Sequence, residues 1–236
     1  MSNIITITLS KNLKDFYLLF WSIILPLAVL IGMYYFKVQL NTGILFGILS
    51  VALFFYCCTT NSFYIYAQRK RGIFDLLRIT PFSLWRYLGA ITISQTVVAC
   101  GVSIILLLVE NFLFSLNLTG AQGLLFLPLF FIGAGIFSLL GFALSAIPKN
   151  EGQLSLVANL VMIPLVVCSP MVFNLDKAPA LVRWISLINP FAWLHQGYMA
   201  ALSGQVADYG LALLYLIALL IICLVLAKRS FKVGKI

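Results

Sequence analysis

Six carboxylates, fifteen Lys and Arg, five cysteines and a single histidine are the groups with which this 236-residue chain can do chemistry. The acidic residues are scattered and no two lie close on one predicted helix, so the paired carboxyl groups of acid and base catalysis are missing. Cys57, Cys58, Cys100, Cys168 and Cys223 fall inside or at the ends of apolar runs, without metal-ligand spacing. They read as small buried residues, and no metal site is expected. His195 has no carboxylate or cysteine arranged near it and reads as an interfacial polar residue. A glycine-rich GxxxxGK[ST] phosphate cradle is absent, so any ATP-driven work must come from another chain.

One polar stretch remains, Gln68 to Leu88, QRKRGIFDLLRITPFSLWRYL, set between two long apolar runs. Ile73, Leu76, Leu77 and Leu84 recur at helical spacing, while Arg71, Asp75 and Arg78 fall at i, i+4 and i+7 on another face. Gly72 lets the chain turn as it leaves the membrane, and Pro81 ends the regular helix. A short amphipathic helix at a membrane surface follows. It either rests among lipid headgroups, its arginines against phosphates, or receives a second protein. Asp75 among the arginines and an apolar edge of Ile73, Phe74 and Leu77 favour the second reading, because they offer specificity and burial together.

The elements that must hold this helix are membrane spans. Residues are 63% hydrophobic and only 9% charged, whereas soluble domains are about half apolar and a quarter charged. The apolar runs are continuous over about 20 residues, which suits helices and not barrel strands. The expected fold is an all-α membrane protein in one domain, 1–236, with six transmembrane helices. The spans are 16–36, 43–66, 88–109, 122–146, 153–173 and 207–227, with the amphipathic helix 69–84 between the second and third. No cleavage site follows the first span, which reads as retained.

Pro26 is expected to kink the first span, and Gly43 and Gly47 give the second a GxxxG spacing, a weak sign of close helix contact. Glu110 closes the third span and reads as a solvated cap. Pro164 and Pro170 make the outer half of the fifth span irregular, and Asn159 within it needs a partner, either another helix or a water-filled path. Between the fifth and sixth spans, 174–196 is too polar to cross. Leu181, Trp184, Ile185 and Ile188 form an apolar stripe broken by Asn189-Pro190, so a re-entrant or surface helical hairpin is expected.

Six spans place both termini on one side. Twelve of the fifteen Lys and Arg then share that side, leaving Lys37, Lys177 and Arg183 across the membrane. The positive-inside rule makes the richer side cytoplasmic, with the 69–84 helix inside and the hairpin outside. Because the basic residues flank spans, the net charge of +9 points to membrane lipids and not to nucleic acid.

RKRGIFDLLRITPFSLWRYL between the second and third spans, and ISLINPFAWLHQGYMAAL from Ile185 to Leu202, resemble the permease subunits of ABC-2 type exporters, over essentially the whole chain. The resemblance implies that the basic helix is a coupling helix seated in a separate ATPase subunit. It assigns that role to Arg69, Arg71, Gly72, Phe74, Asp75, Leu77, Arg78 and Pro81, and an external gate to Asn189, Pro190 and Phe191. It also implies two ATPase copies that hold ATP and Mg, a second permease copy meeting through the first and fifth spans, and a plasma membrane, bacterial in origin. This chain would bind no cofactor and would not be an enzyme by itself.

The uncharged spans suit a hydrophobic or amphipathic cargo, such as a drug, an antibiotic or a membrane-active peptide, with Asn159 and Pro164 as possible lining. Two other classes stay open: a membrane scaffold or assembly factor that does not transport, and an ATP-independent carrier. Whether the second permease is an identical copy or a paralogue is open as well.

Overall fold

The computed structural model describes residues 2–14, 16–37, 41–79, 84–171, 175 and 178–233. All regular structure among them is helical: α1 (Ser2–Lys14), α2 (Phe16–Tyr35), α3 (Thr42–Phe54), a π-helical turn (Phe55–Thr60), α4 (Asn61–Lys70), α5 (Ile73–Ile79), α6 (Leu84–Phe114), α7 (Gly120–Leu144), α8 (Glu151–Val167), α9 (Ala180–Leu187), α10 (Pro190–Ser203) and α11 (Val206–Val233). Four of the resulting rods are long and apolar enough to cross a membrane: Thr42–Lys70, Arg86–Phe114, Gly120–Leu144 and Val206–Ser230. Two shorter apolar helices, Ile23–Tyr35 and Glu151–Val167, accompany them.

The centre of the bundle is α7, against which α6, α10, α11 and the π-helical turn all pack. Its Phe126, Phe130, Phe137 and Phe142 are buried, and its glycines set how near the neighbours come. A Cβ on Gly141 would run into the Cys58 carbonyl. That close approach lets Asn61 and Ser62, polar residues deep in an apolar bundle, find acceptors across the interface. Asn61 Nδ2 donates to the Ser138 carbonyl at 2.7 Å, and Ser62 Oγ donates to the carbonyls of Cys58 at 2.6 Å and Gly141 at 2.9 Å. Buried amides and hydroxyls need such partners in apolar surroundings. Here they hold the α3–π–α4 rod to α7 at the level where its helical register slips.

The GxxxG spacing is used inside the chain. A Cβ on Gly43 would lie 3.1 Å from His195 Cε1, and one on Gly47 would lie 3.3 Å from Met171 Cβ. The chain after α8 and the middle of α10 therefore close directly onto α3. Thr119 and Gln122 form a capping box that starts α7, and Gln122 Nε2 reaches the Leu202 carbonyl at 2.7 Å, fastening that start to the end of α10.

Several expectations shift. Glu110 is not a solvated cap: α6 continues through it to Phe114, it is 0% exposed, and neither carboxyl oxygen has a hydrogen-bond partner among the described residues. Extending the helix carries that position inward against neighbouring helices. The fifth apolar helix, expected to Phe173, stops at Val167. There the chain tightens, with Cys168 N donating to the Pro164 carbonyl at 2.8 Å and Ser169 N to that of Val166 at 3.2 Å, and Pro170 has no N–H to continue the ladder. The hairpin, expected to close at Gln196, runs on to Ser203 because Gly197, Tyr198, Ala200 and Ala201 are buried, and it ends at Gly204 in the left-handed region, φ +72°. Residues 172–174 and 176–177, at the hairpin's start, lie outside the described residues.

Candidate functional site

The basic elbow begins with the end of α4. Arg69 and Lys70 occupy its last turn, where cations offset the exposed carbonyl end of the helix. Gly72 then stops it. With φ +69° it takes a conformation that costs other residues roughly 1–2 kcal/mol, and its N–H donates to the Arg69 carbonyl at 2.9 Å. Its own carbonyl accepts from Asp75 N and Leu76 N, each at 3.1 Å, which opens the next helix on a new axis. Where a helix is expected over 69–84, the described residues form the short α5, Ile73–Ile79, and Arg69 belongs to α4.

Aromatic packing fixes α5 to the bundle. Phe74 is 6% exposed, and its ring meets Tyr87 edge-on at 5.9 Å and Phe142 at 6.2 Å. The Arg69 guanidinium carbon lies 5.1 Å from the Phe74 ring centroid and 5.2 Å from that of Phe142. A cation over two ring faces adds electrostatic attraction to the apolar burial. Arg69 and Phe74 therefore face the body of the protein and tie three helices, α4, α5 and α7, into one joint.

The side chains turned outward differ from the expected apolar edge. Ile73 and Leu77 are half-buried, while Leu76 is 59% and Ile79 82% exposed. These two stand three residues apart on one face, beside exposed Lys70, Arg71 and Asp75. Sequence reading passed over Ile79 and gave Leu76 no docking role, although their i, i+3 spacing was visible; what it lacked was that Phe74 fills the inner side. Arg78 lies on α5 with its side chain outside the description, and Pro81 falls outside the described residues.

Other contacts bring further basic segments to the elbow's end of the bundle. Tyr66 OH donates to the Lys149 carbonyl at 2.8 Å, and Ser230 Oγ to the Ala143 carbonyl at 3.1 Å. The α7–α8 turn and the end of α11, with Lys228 and Arg229, thus gather at the same end as α5.

Asn189, Pro190 and Phe191 lie at the opposite end and are all buried. Asn189 Oδ1 caps α10 by accepting from Phe191 N at 3.0 Å, and Pro190 occupies the first turn, where a missing N–H is harmless. Asn189 Nδ2 donates to the carbonyls of Leu165 at 2.6 Å and Cys168 at 3.1 Å, orphans left where α8 ends. One side chain thereby joins two helix termini. Phe191 then inserts between Phe54 and Phe137, at 5.6 and 5.0 Å.

Beside this joint lies a cavity of about 360 Å³ lined by Pro170, Leu187, Trp193, His195, Gln196 and Met199 among others. Burial lowers the His195 pKa below its ordinary value, which keeps the ring neutral. Asn159 in the middle of α8 and Pro164 in its last turn are both exposed in the single chain.

The elbow is a surface with charge and exposed apolar side chains on a seat packed against α7. The model of a family described as ABC-2 type transporter matches residues 4–203. Comparison with curated proteins finds no match.

Proposed function

This chain belongs to the ABC-2 type transporter family, and from that premise we propose that it is the permease of an ATP-driven exporter whose motor is a separate subunit docking on α5. In this reading six helices cross the membrane, α2 and α8 joining the four long rods. Two ATPase copies carry ATP and Mg, and α5 faces them from the cytoplasm. Two permease copies, identical in the simplest assembly, meet along α2 and α8, and a hydrophobic or amphipathic cargo leaves along their interface.

The observation that carries this reading is the elbow, where Leu76 and Ile79 stand exposed next to Arg71 and Asp75 while Phe74 and Arg69 lock the same helix to α7. A push on the outer face of α5 has a stiff path into the bundle. The distribution of basic residues supports the cytoplasmic placement. For the dimer, support comes from α8, whose Leu156, Asn159, Leu160 and Ile163 are all exposed. An amide facing hydrocarbon would be costly, and a second protein surface would relieve it.

The test is copurification of the tagged chain from its native membrane. An ATPase subunit should elute with the wild type and be lost from Leu76→Asp, Ile79→Asp, whose folding the exposed positions leave intact. An eluate without any ATPase, or with the same amount from the variant, would reject the reading.

A further inference from the structure

Helices α6 and α11 both lie against α7, and a groove of about 300 Å³ runs between them. Its floor is α7 at Phe131 and Gly135, and its walls include Thr92 and Ile93 of α6 and Leu224 of α11. None of the eleven lining residues is charged. Gly135 keeps this floor low, since a Cβ there would come within 3.1 Å of Leu220. All three helices are long and apolar enough to cross a membrane, so the groove opens onto hydrocarbon.

Its length matches an acyl chain. The α6 wall runs from Leu88 to Thr96, about 12 Å at the helical rise, against roughly 15 Å for the hydrocarbon of one leaflet. Its end is charged. Arg86, which is exposed, precedes Gly89 by three residues and Ile93 by seven, so it shares their face of α6. An apolar slot with an exposed arginine on the same helix face at headgroup depth complements a phosphate carried on a fatty chain.

We propose that this groove binds an anionic phospholipid, one acyl chain lying on α7 between α6 and α11 and the phosphate held by Arg86. The site is lined by α6, α7 and α11 and not by α8, and it does not depend on the ATPase reading. An uncharged apolar cargo would fill the slot without regard to Arg86. A second copy of the chain would bring protein against Ile93.

The test uses the purified full chain in vesicles of phosphatidylglycerol and phosphatidylcholine, with a photoactivatable diazirine on the acyl chain of one lipid at a time. Labelled peptides are mapped by mass spectrometry. Phosphatidylglycerol should label the 88–96 and 220–224 stretches about fivefold more than phosphatidylcholine, the share one basic residue contributes at a membrane surface. Arg86→Glu should bring that ratio to one, and Ile93→Trp should remove groove labelling by both lipids while labelling elsewhere persists. Equal labelling by the two lipids in the wild type, labelling indifferent to both variants, or disulfide-linked dimers from Ile93→Cys in place of lipid adducts would each overturn the proposal.

Discussion

At Gly72 a single residue decides the direction of the coupling segment. A Cβ added there meets no heavy atom within 4 Å, so the cost of alanine is conformational alone. Gly72→Ala should therefore destabilise the elbow by about 1–2 kcal/mol, seen as faster amide exchange in α5 with the rest of the bundle unchanged. Phe74 acts through packing. Phe74→Ala removes a buried ring from between Tyr87, Phe142 and Arg69, a loss of about 3 kcal/mol in comparable sites. An ATPase should still copurify with this variant, because Leu76 and Ile79 are untouched, while cargo no longer stimulates ATP hydrolysis. Loss of the partner itself would show that Phe74 belongs to the docking face.

Glu110 gives an opposite expectation, because its buried carboxyl has no hydrogen-bond partner among the described residues. Replacing it by Leu, of similar size, removes that burden, and the thermal unfolding midpoint should rise. A fall would mean that the carboxyl holds a contact the structure lacks.

At the scale of elements, the chemistry of each joint follows from where a helix is forced to stop or slip. Asn189 satisfies the carbonyls left by α8 and caps α10 at once, so Asn189→Ala should cost about 2 kcal/mol and loosen both helices together, read as coupled loss of exchange protection in Leu165–Cys168 and Phe191–Trp193. The π-helical turn is held by hydrogen bonds made possible at Gly141, and Gly141→Val should separate the α4 rod from α7 and lower the unfolding midpoint.

Much of this was legible beforehand. Apolar runs of membrane length predicted the long helices, Gly72 predicted the bend, and Asn189-Pro190 predicted the break between α9 and α10. The misplaced details share a cause: periodicity says which residues share a face, and only packing says which face is inner. Phe74 and Leu76 could not be sorted without Phe142 and Tyr87, which come from distant segments. Glu110 was misplaced because charge suggested a helix end, and the continuation of α6 to Phe114 is favoured by burial that one sequence window does not contain. The Asn61 and Ser62 contacts, 77 and 79 residues away along the chain, left no local signal.

For the molecule as a whole, the elbow, the α7–α8 turn and the end of α11 gather at one end while the Asn189 joint closes the other. Movement of α5 therefore reaches α7 through the Phe74 and Arg69 contacts, and α7 carries both α10 and α11. In the reading proposed above, the permease supplies a conduit and a lever and takes its energy from another chain. The measurement that tests this most directly is cargo-stimulated ATP hydrolysis by the reconstituted complex carrying Asp75→Arg. The account predicts that the variant stays in the membrane and that stimulation by cargo disappears. Undiminished stimulation, with Asp75 reversed in charge on the face proposed to dock the ATPase, would contradict it.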